Sequence, residues 1–182
     1  MDTSPIPEAI ESDYPRWSET LRDDSRVMIR SITRLDKQAE RGFLEELTPQ
    51  ARRFRFLGQV GIPSERMIEQ FTNVDHVHDV AFVAVVPDES RERIVGVSRY
   101  CTDADGLRCE CAVTVTDEWQ HKGLGSLLMK HLIAVARSHS IGSMYSVDSA
   151  ENQAMKDLAA FLGFHTREDP DDSSQVIHEL QL

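Results

Sequence analysis

Cysteine is scarce in this chain: there are three, Cys101, Cys109 and Cys111. An odd number without paired ligand spacing indicates neither a disulfide framework nor a zinc site. On a strand, Cys109 and Cys111 would share one face and pack as small apolar groups. Long apolar runs are lacking as well. The longest, Val-Ala-Phe-Val-Ala-Val-Val over 80–86, falls far short of the roughly 20 residues a membrane helix needs. Residues 1–7 carry no basic, apolar signal pattern, so a soluble, cytoplasmic protein without a membrane partner is expected. Basic residues are outnumbered, 20 against 31 acidic, for a formal net charge of −11. Broad attraction to phosphate backbones or anionic lipid is therefore not expected, and cationic partners suit the chain better.

What is present fits one domain. The 182 residues, 40% apolar and 28% charged, compare with a prior of roughly 150 per domain and suffice for a core without disulfides or structural metal. Residues 1–25 are acidic and marked by Pro5, Pro7 and Pro15, and read as an N-terminal arm on a domain spanning 26–182.

Periodicity and punctuation give a sequence of elements. A short strand over 27–30 precedes a helix over 36–47, with Ala39, Phe43, Leu44 and Leu47 at helical spacing. Thr48-Pro49 and Pro63-Ser64-Glu65 are helix starts for 50–57 and 63–71. Strands over 79–86, 94–100 and 108–116 follow with short connections, which makes them antiparallel neighbours. Residues 123–139 form the most secure helix, with Leu124, Leu127, Leu128, Leu132, Val135 and Ala136 in one stripe. A strand over 143–148, a helix over 152–162 stopped by Gly163, and a hairpin of 164–168 with 175–180 complete the chain.

The most informative stretch is Val113 to Leu128, a strand that turns through Gly123 and Gly125 directly into a helix. Glycines let a backbone approach an anion closely, and the first N–H groups of a helix attract it. The same pair also suits a tight turn with no ligand, so both readings stand on the glycines alone. A Walker sequence would need Gly-Lys-Ser/Thr at its end, and a dinucleotide fingerprint would need glycine at Leu128.

In context, Gln120-x-x-Gly123-x-Gly125 after a strand resembles the acetyl-CoA signature of the GNAT N-acetyltransferase superfamily. Glu151-Asn152-Gln153-Ala154-Met155 and Leu162-Gly163-Phe164 resemble its second cofactor element. Leu47-Thr48-Pro49, Arg53 to Phe56, Phe71 to Asp75 and Cys109 to Val113 are similar to the acetyltransferase domain of bacterial Pat-type protein-lysine acetyltransferases. The resemblance spans 27–180. It implies an α/β (α+β) fold whose mixed, mostly antiparallel sheet has a splayed central strand pair and flanking helices.

It also implies roles. Backbone groups of Ala112, Val113 and Val115 would pair with the pantetheine arm of acetyl-CoA. The N–H groups of Gln120, His121, Lys122, Gly123, Leu124, Gly125 and Ser126 would hold its pyrophosphate. Asn152 either contacts the cofactor or simply caps its helix, and the His121 side chain either touches phosphate or faces solvent. Glu110 stands where Pat-type domains carry a catalytic glutamate. A lysine with a pKa near roughly 10.4 arrives as ammonium, so a base is required. The alternative for Glu110 is a half-exposed strand residue paired with Arg99 or Arg108. Where many members place a tyrosine acid for the coenzyme A thiolate, this chain has Ala159, which leaves Tyr145 as a weak candidate or no dedicated acid.

The expected reaction is direct acetyl transfer to a primary amine, first a protein lysine. A small-molecule amine acceptor, or a non-catalytic acetyl-CoA sensor, are the other readings. Arg52, Arg53 and Arg55, interleaved with Phe54 and Phe56, sit on an apparent helix that turns its aromatics to the core and its arginines to solvent; no nucleic-acid partner is expected. His76 and His78 lie in a loop without other evident ligands, and no metal site is expected.

Overall fold

The apolar run at 80–86 becomes the middle of a strand covered on both faces, which is why it does not alternate with polar residues. Val80, Phe82 and Ala84 point into one core, and Ala81, Val83 and Val85 into another. The strand belongs to a computed structural model that describes residues 14–58, 61 and 63–182. Its elements are β1 (Arg16–Thr20), β2 (Arg26–Ser31), α1 (Lys37–Glu46), α2 (Pro49–Phe56), α3 (Glu65–Thr72), β3 (Asp79–Asp88), β4 (Arg91–Thr102), β5 (Arg108–Val115), α4 (Leu124–Ser138), β6 (Ser143–Ser149), α5 (Gln153–Leu162), β7 (His165–Glu168) and β8 (Gln175–Gln181).

The eight strands form one sheet in the order β1-β2-β3-β4-β5-β6-β8-β7. Every neighbouring pair is antiparallel except β5 with β6, and the long crossover through α4 is what permits that parallel pair. The mixed, mostly antiparallel sheet is the expected one.

Helix α4 covers one face with Leu124, Leu128, Met129, Leu132, Ile133 and Ala136, all buried. At roughly 1.5–3 kcal/mol for each large apolar side chain, this stripe is a main anchor of the sheet. It is rotated slightly from the expected one: Leu127 and Val135 are only partly buried, while Met129 and Ile133 go fully inside. Cys109 and Cys111 pack into this same core. On the other face, Phe43, Leu44, Leu47 and Ile68 from the α1–α3 region cover Ala81, Val83, Val85, Ile94 and Val97.

Local punctuation acts as expected. The Thr48 hydroxyl accepts the Ala51 N–H at 3.2 Å with Pro49 opening α2, the Ser64 hydroxyl accepts that of Met67 at 3.2 Å, and Gly163 ends α5 with φ 87°. The sequence reading names no strand within the N-terminal arm. Residues 1–13 lie outside the described residues, but Arg16–Thr20 forms β1 and pairs with β2 from Arg16↔Arg30 to Thr20↔Arg26. An edge strand needs only a neighbour's free backbone groups, so no apolar pattern announces it.

Candidate active site

Strands β5 and β6 run together for three pairs, Arg108↔Ser143, Cys109↔Met144 and Glu110↔Tyr145, and then part. Beyond Glu110 one edge of β5 is therefore open, while β4 still pairs with its other edge up to Val115. A groove of about 740 Å³ runs along this opening. Glu110, Ala112, Val113, Val115, Gln120, His121, Gly123, Leu124, Gly125, Ser126 and Asn152 all line it. The splayed pair is thus present, with the expected residues along one track.

The strand-to-helix turn closes one end. Gly123 takes φ 89° and His121 φ 62°, a left-handed excursion that swings the chain into α4. Among the described residues, no acceptor takes the backbone N–H groups from His121 through Ser126; the first to find one is Leu127, bonded to the Gly123 carbonyl at 3.2 Å. Unmet donors at the positive end of a helix are chemically suited to an anion. The Gln120 amide donates to the Val115 carbonyl at 3.0 Å and so ties the turn to the strand end. Lys122 is the exception in this run. Its ammonium pairs with Asp23 at 3.0 Å and lies over the Trp119 ring, and it does not line the groove.

Glu110 stands where the strands separate. Neither Arg99 nor Arg108 takes it: Arg99 lies 3.8 Å from Asp79, Arg108 lies 3.6 Å from Glu179, and no ion pair to Glu110 occurs among the described residues. The side chain is exposed, but partial desolvation raises its carboxyl pKa, Asp103 adds to this, and Arg55 opposes it. Asn152 lines the groove and also caps α5, its side-chain oxygen accepting the Met155 N–H at 3.1 Å. Tyr145 does not line the groove; its hydroxyl donates to Asp103 at 3.2 Å, and burial with the Glu110 and Asp103 carboxylates pushes it up to about 12.

Helix α2 departs from its sequence reading, because one of its faces looks onto the groove rather than onto solvent or core. Phe54 and Arg55 line that groove, while Phe56 packs inward, parallel to Phe71. Arg55 is half-buried against the Phe56 and Phe71 rings. Arg53 reaches Glu151 at 2.9 Å, joining α2 to the loop after β6. The sequence reading also passed over Asp148, which lines the groove from β6. Nothing in local periodicity marks Arg55 or Asp148, since their common site is made by segments far apart in sequence.

A search by family models matches residues 42–164 to the GNAT acetyltransferase family. The chain belongs to that family. This GNAT protein is 46% identical over 174 residues to a Pseudomonas aeruginosa protein named Acetyltransferase PA5475, covering 96% of the chain and 92% of that relative. The crystal structure of the GNAT domain of S. lividans PAT superposes with a TM-score of 0.85 at 24% identity, covering 93% of this chain and 100% of that one. A GNAT-family acetyltransferase from Streptococcus pneumoniae gives 0.69 at 18% identity, covering 86% and 99%. At these identities the two structures speak for the fold. The enzyme is thus a GNAT acetyltransferase, and its family generally takes acetyl-CoA as donor. Among the described residues, no helix is long and apolar enough to cross a membrane, and no cluster of three or more His, Cys, Asp or Glu could hold a metal.

Proposed function

We propose that this acetyltransferase binds acetyl-CoA along the open edge of β5 and transfers the acetyl group directly to a primary amine, foremost a protein lysine, with Glu110 as general base. One observation carries the reading: the unmet N–H groups from His121 to Ser126 and the Glu110 carboxyl lie at two ends of a single groove, joined by an unpaired strand edge. The pyrophosphate sits on the N–H groups, with Lys122 contributing backbone rather than side chain. The amide-bearing pantetheine adds to β5 at Ala112, Val113 and Val115 as a short extra strand. Asn152, already engaged in capping, borders the arm.

This delivers the thioester to the point where β5 and β6 meet. There Glu110 takes a proton from the incoming amine, directly or through water. Its raised pKa suits that task, because a base works best when its pKa approaches the working pH. Glu110, Asp117, Glu151 and Asp157 put carboxylates along the groove, which favours a cationic acceptor. A lysine on a flexible protein segment fits an open groove of this kind, in a soluble, cytoplasmic setting.

The test is coenzyme A release from acetyl-CoA with lysine peptides and a panel of small amines, comparing the wild type with Glu110→Gln. Turnover on lysine peptides that is lost in the variant while acetyl-CoA binding persists supports the reading. Turnover only on small amines overturns the acceptor, and binding without turnover on any amine overturns the enzyme mechanism.

A further inference from the structure

Breaking the thioester leaves a thiolate that must end as a thiol, and Tyr145, turned away to Asp103, does not face the groove. Ala159, buried in α5, carries no proton to give. We propose that Asp148, backed by the buried His178, donates that proton. The inference rests on the acetyl-transfer reading above.

The geometry is specific. Asp148 lies three residues beyond Tyr145 on β6, past the point where β5 and β6 separate. Asp148 lines the groove and is 17% exposed. The Ser146 hydroxyl donates to its Oδ2 at 2.6 Å. The same oxygen lies 3.8 Å from Nε2 of His178, on β8. His178 is wholly buried, its Nδ1 meets the Thr166 hydroxyl at 2.7 Å, and its Nε2 has no hydrogen-bond partner among the described residues.

An orphaned ring nitrogen in a sealed position is costly to leave unpaired. The separation is too long for a hydrogen bond as it stands, but pairs of this type commonly tighten only when substrate is bound. A short movement of Asp148 would join Thr166, His178 and Asp148 into one chain that ends at the groove.

Burial, not the surrounding charge, shifts Asp148 toward its protonated form. Burial raises the Asp148 carboxyl, which the Ser146 hydrogen bond, His178 and Arg55 oppose. Burial lowers the His178 imidazole, with Asp148 opposing and Lys156 adding to the effect. The groups facing the pair are therefore Arg55 from α2, Lys156 from α5, and Glu110 from β5, whose own carboxyl Asp148 helps to raise.

The step balances. The amine nitrogen, its ammonium proton already passed to solvent by way of Glu110, attacks the thioester carbonyl carbon, a C–N bond forms, and the C–S bond breaks with its electron pair passing to sulfur. The N–H proton goes to Glu110, and the sulfur takes the Asp148 proton. Glu110 then loses its proton to solvent, and Asp148 regains one through the groove. Asp148 contacts the reacting sulfur; His178 is a positioning residue that acts through it.

The experiment measures kcat, KM for acetyl-CoA and the pH profile of kcat in the wild type, Asp148→Asn, His178→Gln, Ser146→Ala and Glu110→Gln, with folding followed by circular dichroism. Asp148→Asn should lower kcat at least 10-fold with little change in KM and remove the alkaline limb. His178→Gln should move that limb. Ser146→Ala, which deletes a hydrogen bond to the ionised carboxylate, should move it to higher pH, and this arm decides if Asp148→Asn does not fold. An unmoved limb in Ser146→Ala, or wild-type kcat and limb in Asp148→Asn, overturns the proposal even where Glu110→Gln is impaired. No turnover by the wild type on any amine overturns it together with the transfer reading.

Discussion

Glu110 on β5 faces Tyr145 on β6 across the last pair of the parallel ladder, and the two strands separate immediately beyond them. The carboxyl therefore sits at the apex of the opening. It is exposed to solvent yet desolvated enough by its surroundings to have a raised pKa, and it has no ion-pair partner among the described residues.

Replacing Glu110 by Gln keeps the shape and deletes the base. We expect kcat/KM to fall by roughly 10²–10⁴, with loss of the acid limb in the pH profile. That limb should be shifted upward from the ordinary glutamate value in the wild type, since partial desolvation favours the protonated form of Glu110. Steady-state kinetics from pH 5 to 9 check both effects.

Gly123 holds φ 89° at the mouth of α4. An alanine there would strain the backbone by about 1–2 kcal/mol and disturb the unmet N–H groups. Isothermal titration should show weaker acetyl-CoA binding by Gly123→Ala, with circular dichroism of the native fold retained.

A Cβ on Gly96 of β4 would stand 2.9 Å from Leu128 Cδ1 and 3.3 Å from Leu124 Cδ2. Those leucines fix α4 against the sheet. Gly96→Ala should thus cost about 1–3 kcal/mol by overpacking, and, by shifting the first turn of α4, weaken acetyl-CoA binding as well. Urea denaturation and titration measure the two effects separately.

Glu40 on α1 is 2% exposed, and its Oε2 has no hydrogen-bond partner among the described residues. Burial raises its pKa from 4.5 to about 7, against the pull of Arg99 and Arg55. Between those values the native state holds a proton that the unfolded chain has released, so stability falls as pH rises. The full penalty, on the order of 3 kcal/mol, applies above pH 7. Glu40→Gln should therefore gain stability over the wild type as pH climbs from 4.5 past 7, with little difference below; denaturant titrations at pH 4.5 and 8 test this.

Periodicity along the chain determined its helices and most of its strands, because a residue's side of a helix or strand depends only on neighbours a few positions away. The Gln120–Gly125 turn was legible for the same reason: a left-handed glycine and free N–H groups at a helix start are local properties. Tertiary structure alone decided that Arg16–Thr20 becomes an edge strand, that Arg55 overlooks the groove instead of solvent, and that Asp148 comes within reach of His178. Each depends on which distant segments pair and where the pairing of β5 with β6 stops. That register is fixed by the closure of the whole sheet around its two cores, and no short window of sequence contains it.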